Sequence, residues 1–319
     1  MLRSFFIYLS KANWARRIIT NWSFAWRMVE RFVSGEKLED AIQAIKALNA
    51  KGINATLDHL GENTATPEDA RQATRDIIVA LDAIQEAGVR ANVSVKLTQI
   101  GLALDPNLCA ENLSQIVAHA AKLNNFVRVD MEDSAVTQIT LDLMRGVRAK
   151  GLTNTGIVIQ AYLYRSEQDI KDLIQEGTTV RLCKGAYKEP ASVAFPKKAD
   201  VDANYDRLAA LLIDSSKLPS SQPAAADGRT PPIPGLATHD EKRIIFAKQY
   251  LQQAGLPKNS MEFQMLYGIR RELQEQLAAD GYPMRVYVPY GTEWYPYNMR
   301  RLAERPANVW FIVSNFFRR

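Results

Sequence analysis

The chain has 319 residues, 47% of them hydrophobic, enough to bury a large core in one α/β domain or in two smaller ones. Forty basic against 35 acidic residues leave a net charge of +5, which suits an anionic surface without requiring one, and no nucleic-acid-binding motif accompanies it. Two distant cysteines, Cys109 and Cys183, exclude a disulfide framework, and three scattered histidines, His59, His119 and His239, offer no metal-ligand spacing.

At the amino end, Met1 to Val29 contains no acidic residue but sets Arg3, Lys11, Arg16, Arg17 and Arg27 among Phe5, Phe6, Trp14, Trp22 and Trp26. Such a segment fits a transit peptide, a helix lying on a membrane surface, or a pair of extra helices packed on the domain with basic residues outward. No apolar run approaches the roughly 20 residues that span a bilayer. Residues 1–34 are expected to be an N-terminal helical segment, and 35–319 one domain.

From Gly35 the pattern becomes periodic. Leu38 to Leu48 reads as an amphipathic helix, and Ile53 to Leu60 as a strand that leaves on Asp58, His59, Gly61 and Glu62. Further strands begin near Asn92, Phe126, Thr155, Thr178, Leu236, Met261 and Met284, with helices such as Pro67 to Gly88 and Asn112 to Leu123 between them. The intervals run from 23 to 37 residues, one strand plus one helix plus loops, except for one of 58. That interval holds a helix over Ala203 to Ser215 and a Pro-, Ser- and Ala-rich insertion, 215–234, expected to be flexible. Eight such units predict a distorted (β/α)8 TIM-type barrel. The alternative, a doubly wound open sheet, lacks a Gly-x-Gly-x-x-Gly behind its first strand.

In a barrel, chemistry belongs at the carboxyl ends of the strands. Those ends supply Lys96; Asp130; Gln160, an amide suited to a planar heterocycle; Arg181, on the same strand face as Cys183; the run Lys184, Gly185, Ala186; Thr238 and His239; and Gln264, Leu266 and Tyr267. A lysine followed by glycine lets backbone N–H groups approach a phosphate while the ammonium neutralises it. The structural alternative is an ion pair between Lys96 and Asp130 that only holds strands together. Past the last strand a helix opening at Pro296 carries Tyr297, Arg300, Arg301 and Glu304. Helical spacing puts a ring and two guanidinium forks within reach of one carboxylate or phosphate.

These motifs resemble the proline dehydrogenase family over roughly 40–315: Val-Lys-Leu-Thr, Asp-Met-Glu, Ile-Gln-Ala-Tyr, Arg-Leu-Cys-Lys-Gly-Ala-Tyr, Ala-Thr-His-Asp, Gln-Met-Leu-Tyr-Gly and the closing Tyr-x-x-Arg-Arg-x-x-Glu. The resemblance implies an FAD-bound barrel that oxidises L-proline to Δ1-pyrroline-5-carboxylate and reduces a quinone. By position it implies that Lys96, Arg300 and Arg301 hold the proline carboxylate. Tyr287 and Tyr297 then wall the ring above Leu266, and Asp130 supports this polar cluster. Met131, Gln160, Arg181, Lys184, Gly185, Ala186, Thr238, His239 and Glu304 fall at cofactor positions, with Arg181 near the flavin N5. Tyr287 is expected to crowd out a ring hydroxyl. With neither an aldehyde dehydrogenase module nor a DNA-binding arm, the chain looks like the short monofunctional bacterial branch, whose product passes to a separate pyrroline-5-carboxylate dehydrogenase. The expected location is the cytoplasm, peripherally on the inner face of the cell membrane, rather than a mitochondrion. Another flavin barrel, such as a methylenetetrahydrofolate reductase or hydroxyproline oxidase, is the competing enzymatic reading. A degenerate barrel serving as a binding scaffold is the non-enzymatic one.

Overall fold

The computed structural model describes residues 31–61, 64–219, 221, 225–232 and 234–295, together with Tyr297 and Met299. Eight strands form one closed all-parallel barrel in sequence order, with β8 returning to pair with β1. They are β1 Asn54–His59, β2 Ala91–Val95, β3 Val127–Val129, β4 Thr155–Gln160, β5 Val180–Cys183, β6 Pro234–Ala237, β7 Glu262–Leu266 and β8 Met284–Tyr290. The helices around them are α1 Leu38–Ala50, α2 Pro67–Glu86, α3 Pro106–Lys122, α4 Thr137–Ala149, α5 Ser166–Gln175, α6 Lys198–Ser215, α7 Glu241–Gln253 and α8 Arg271–Ala279. The expected (β/α)8 barrel is thus present. The expected N-terminal helices lie almost wholly outside the described residues.

Helix starts follow local chemistry. Thr66 accepts from Asp69 N at 3.1 Å while Asp69 accepts from Thr66 N at 2.8 Å, a capping box in front of Pro67. Asp105 caps α3 and Pro106 opens it, so this helix begins six residues before the expected Asn112. Helix α6 likewise begins at Lys198, ahead of the expected Ala203. After β8, Trp294 and Tyr295 are already helical, ahead of Pro296.

Strand periodicity divides the barrel into two environments. Leu57, Val93, Val95, Val129, Ile157, Leu182, Phe263 and Val286 point outward and are fully buried with Ile45, Ile77, Leu113 and Leu141 of the helices. Each such side chain contributes about 1.5–3 kcal/mol by leaving water. The alternate positions point inward and most are polar: Thr56 and Asp58, Asn92 and Ser94, Arg128, Arg181, Glu262 and Gln264, Arg285. Long polar chains fit inside because two strands carry glycine opposite them. A Cβ on Gly156 would lie 2.7 Å from Arg128 Nη1, and one on Gly235 2.7 Å from Gln264 Nε2.

The closed end is plugged by part of the insertion. Arg285 Nη2 donates to Gly228 O at 2.8 Å, Asn92 Nδ2 to Arg229 O at 2.7 Å, and Arg229 Nη1 to Leu123 O at 3.0 Å. Pro231 and Pro232 are buried beside it.

Candidate active site

Register brings the inward residues of neighbouring strands to one level. Asp58 on β1 faces Ser94 on β2, Ser94 faces Arg128 on β3, and Tyr287 on β8 faces both Thr56 and Leu266. Beyond that level, towards the carboxyl ends, Lys96 Nζ lies 3.1 Å from both carboxylate oxygens of Asp58 and 3.4 Å from the Tyr287 hydroxyl. Tyr287 OH donates to Asp130 Oδ2 at 2.7 Å; Asp130 Oδ1 accepts from Arg181 Nη1 at 3.0 Å and from Ser94 Oγ at 2.6 Å. The result is two ion pairs bridged by one phenol. The alternative Lys96–Asp130 pair is replaced by two others: parallel register sets Lys96 beside the fully buried Asp58 of β1, and Asp130 takes Arg181.

The electrostatics follow from depth. Burial pushes the Asp58 carboxyl above the ordinary carboxylate range; Lys96 opposes that rise and the nearby Asp130 charge adds to it. Burial, then Asp130 and Asp58, drive the Tyr287 phenol well above its usual value, so it remains a hydrogen-bond donor at any physiological pH. The Arg181 guanidinium lies 5.4 Å from the centre of the Tyr287 ring, and its Nε donates to Gln264 Oε1 at 2.5 Å.

The remaining expected residues gather around this cluster on neighbouring strand ends. Gln160 Nε2 donates to Glu132 O at 2.6 Å, which orients the amide, and Met131 is buried next to it in sequence. His239 Nε2 accepts from Leu266 N at 3.0 Å, which makes the ring neutral with its proton on Nδ1. Thr238 Oγ1 accepts from Asp240 N at 3.0 Å. Gly185 has φ +113°, and a Cβ there would sit 2.4 Å from the Tyr162 ring, so only glycine lets this loop lie flat on that ring before Ala186. Lys184, expected to neutralise a phosphate, has its ammonium paired with Asp202 and, at 2.6 Å, with Asp240. Tyr297 is buried; Arg300, Arg301 and Glu304 lie outside the described residues.

Several residues that hold the site were not singled out from the sequence: Ser94, Thr56, Glu262 and Arg285; Asp58 was read only as a polar strand end, without its partner. Their signal was the period-2 polarity of the strands, Asn54-Thr56-Asp58 and Asn92-Ser94 being the clearest cases.

Comparison with known proteins agrees with this architecture. The pattern of the family described as proline dehydrogenase matches residues 41–314. Proline dehydrogenase 2 of Bacillus subtilis is 40% identical over 309 residues, covering 97% of this chain and 96% of the relative. The Deinococcus radiodurans proline dehydrogenase is 42% identical over 297 residues, covering 92% and 91%. Among solved structures, proline utilization A from Bdellovibrio bacteriovorus, inactivated by N-propargylglycine, superposes with a TM-score of 0.79 at 26% identity; the match covers 92% of this chain and 34% of that one. The chain thus spans about a third of that longer protein and nearly all of the Bacillus and Deinococcus relatives, and it belongs to the proline dehydrogenase family.

Proposed function

We propose that this enzyme binds FAD in the mouth of the barrel, oxidises L-proline to Δ1-pyrroline-5-carboxylate and passes the electrons to a quinone. At the coarser level, the family makes it a proline dehydrogenase acting at the first step of proline catabolism. The observation that carries the finer reading is the buried pair of ion pairs, Lys96–Asp58 and Asp130–Arg181, bridged by Tyr287 at the carboxyl ends of the strands.

The residues present fit a flavin dinucleotide. Arg181 is a fixed cation, Gln160 an oriented amide and His239 a neutral imidazole, and Gly185, packed flat against the Tyr162 ring, has no side chain of its own to obstruct a dinucleotide. When bound, FAD supplies the hydride acceptor that no side chain provides. The chain's own residues bind and orient. Lys96, with Arg300 and Arg301 of the closing motif, holds the substrate carboxylate. Tyr287, locked by Asp130, walls the ring with Tyr297 and Leu266, so that the ring carbon beside the nitrogen is presented in one pose. The Arg181 charge favours electron density accumulating on the cofactor during transfer.

The first test is colour. The purified protein is expected to be yellow, to bleach with L-proline in the absence of oxygen, and to recover with a soluble quinone; a preparation that stays colourless with added FAD sinks the proposal. A second test addresses the carboxylate site. Arg300→Ala or Arg301→Ala is expected to raise the KM for proline with little change in flavin content, at about 2–4 kcal/mol in kcat/KM. Unchanged proline kinetics in both variants removes the two arginines from the site.

A further inference from the structure

Arg181 is held from several sides inside the barrel: Nη1 by Asp130 and, at 3.3 Å, by Ser94; Nη2 by Thr56 at 3.4 Å; Nε by Gln264 Oε1 at 2.5 Å. An amide can offer its oxygen or its NH2, and only the oxygen can accept from Nε. Which end faces Arg181 is decided one layer down, where Gln264 Nε2 donates to Glu262 Oε1 at 2.7 Å. That carboxylate cannot turn away, because Arg285 grips both oxygens, at 2.7 and 3.0 Å, and is itself tied to Ala55 O at 2.6 Å and Gly228 O at 2.8 Å. An unbroken run of polar contacts therefore leads from the closed end of the barrel to the guanidinium. A filler of this space would be apolar. A buried amide between an anion and a cation costs desolvation and is tolerated only when both of its ends are matched.

We infer that Gln264, aimed by Glu262, is a positioning residue that fixes the Arg181 guanidinium at the flavin and thereby sets the flavin's reduction potential. This rests on the proposed reading of Arg181 as the flavin-facing cation. The test is the midpoint potential of the FAD-loaded enzyme, with kcat and KM for proline alongside, for the parent and for Gln264→Glu, Gln264→Met, Glu262→Gln and Arg181→Met. Gln264→Glu sets a carboxylate against Arg181 and is expected to disfavour the reduced flavin about tenfold, a shift of about 30 mV to more negative values. Gln264→Met and Glu262→Gln are expected to move the potential the same way by less, and to lower kcat more than they raise KM, since substrate contacts stay in place. If Arg181→Met shifts the potential while both Gln264 variants bind FAD at the parent's value, the inference is overturned and the reading of Arg181 survives. If Arg181→Met itself leaves the potential unchanged, that reading fails and takes the inference with it. Should Glu262→Gln not fold, the near-isosteric Gln264→Met decides.

Discussion

Tyr287 holds its hydroxyl between an ammonium and a carboxylate, which fixes the ring that the proposed function sets against the substrate. Tyr287→Ser is expected to lower proline turnover and to narrow the preference for proline over 4-hydroxyproline by roughly 1–3 kcal/mol, the usual worth of opening a pocket. The ratio of kcat/KM values checks it; a variant with the parent's full selectivity contradicts the steric role. Asp58 makes a different prediction. Its carboxyl titrates higher in the fold than in the unfolded chain, so the unfolded chain loses its proton first as pH rises. Its contribution therefore lowers stability with rising pH and is relieved on acidification toward the ordinary carboxylate range. Compared with Asp58→Asn, the parent is expected to gain relative stability as pH falls from neutral through that window, read from urea midpoints at several pH values. A difference that is constant with pH removes Asp58 as the titrating group.

The strands are mostly apolar outward and polar inward, with Val158 beside Arg181 and Leu266 beside Tyr287 as apolar exceptions, and their inner layers are unequally matched. Glu262 and Arg285 form a bidentate pair with almost no exposure. Arg128, equally buried, has Nε and Nη2 without a hydrogen-bond partner among the described residues and is met by the carbonyls of Ile157 and Thr179 and, at 4.9 Å, by the Phe126 ring. Burial, then the charges of Arg181 and Arg285, pull the Arg128 guanidinium well below the usual arginine range. Glu262→Met strands a buried cation among others and is expected to cost about 3–5 kcal/mol. Arg128→Met removes an incompletely matched charge and is expected to cost clearly less. Thermal and urea melts of the two variants give the ranking, and the reverse order would show that Arg128 is the better-matched charge. Elements were legible where local signals were strong. The Thr-Pro-Glu-Asp cap places the start of α2, and strand starts expected at Ile53, Asn92, Thr155 and Met284 fall within one residue of those observed. The early start of α3 was missed although Asp105 caps it and its buried stripe already begins at Leu108 and Cys109.

At the scale of the whole molecule, no helix among the described residues is long and apolar enough to cross a membrane. A quinone is lipid-soluble, so the proposed electron acceptor requires contact with a bilayer. The acid-free, Trp-rich stretch before Glu30 and the terminal VWFIVSNFFRR, both outside the described residues, have the composition of interfacial segments, with roughly 1 kcal/mol for each basic residue near an anionic surface. Co-sedimentation with anionic liposomes at low salt and excess proline is expected, and it should fall when residues 1–29 are removed from a chain that still folds. Sedimentation that survives this removal rules out the amino end as the contact.

The sequence by itself determined the barrel, because hydrophobic period and strand spacing are local properties, and it brought out Lys96, Asp130, Arg181 and Tyr287 through short motifs that sit on single strands. Only the tertiary structure decided which charge answers which. Lys96 with Asp58, Asp130 with Arg181, and Glu262 with Arg285 are pairings between different strands, fixed by parallel register and barrel closure. The 225–232 segment shows the same division. Its composition says loop, but its docking under Arg285 and Asn92 depends on carbonyls meeting donors that stand far away in the chain, a match that no local pattern carries.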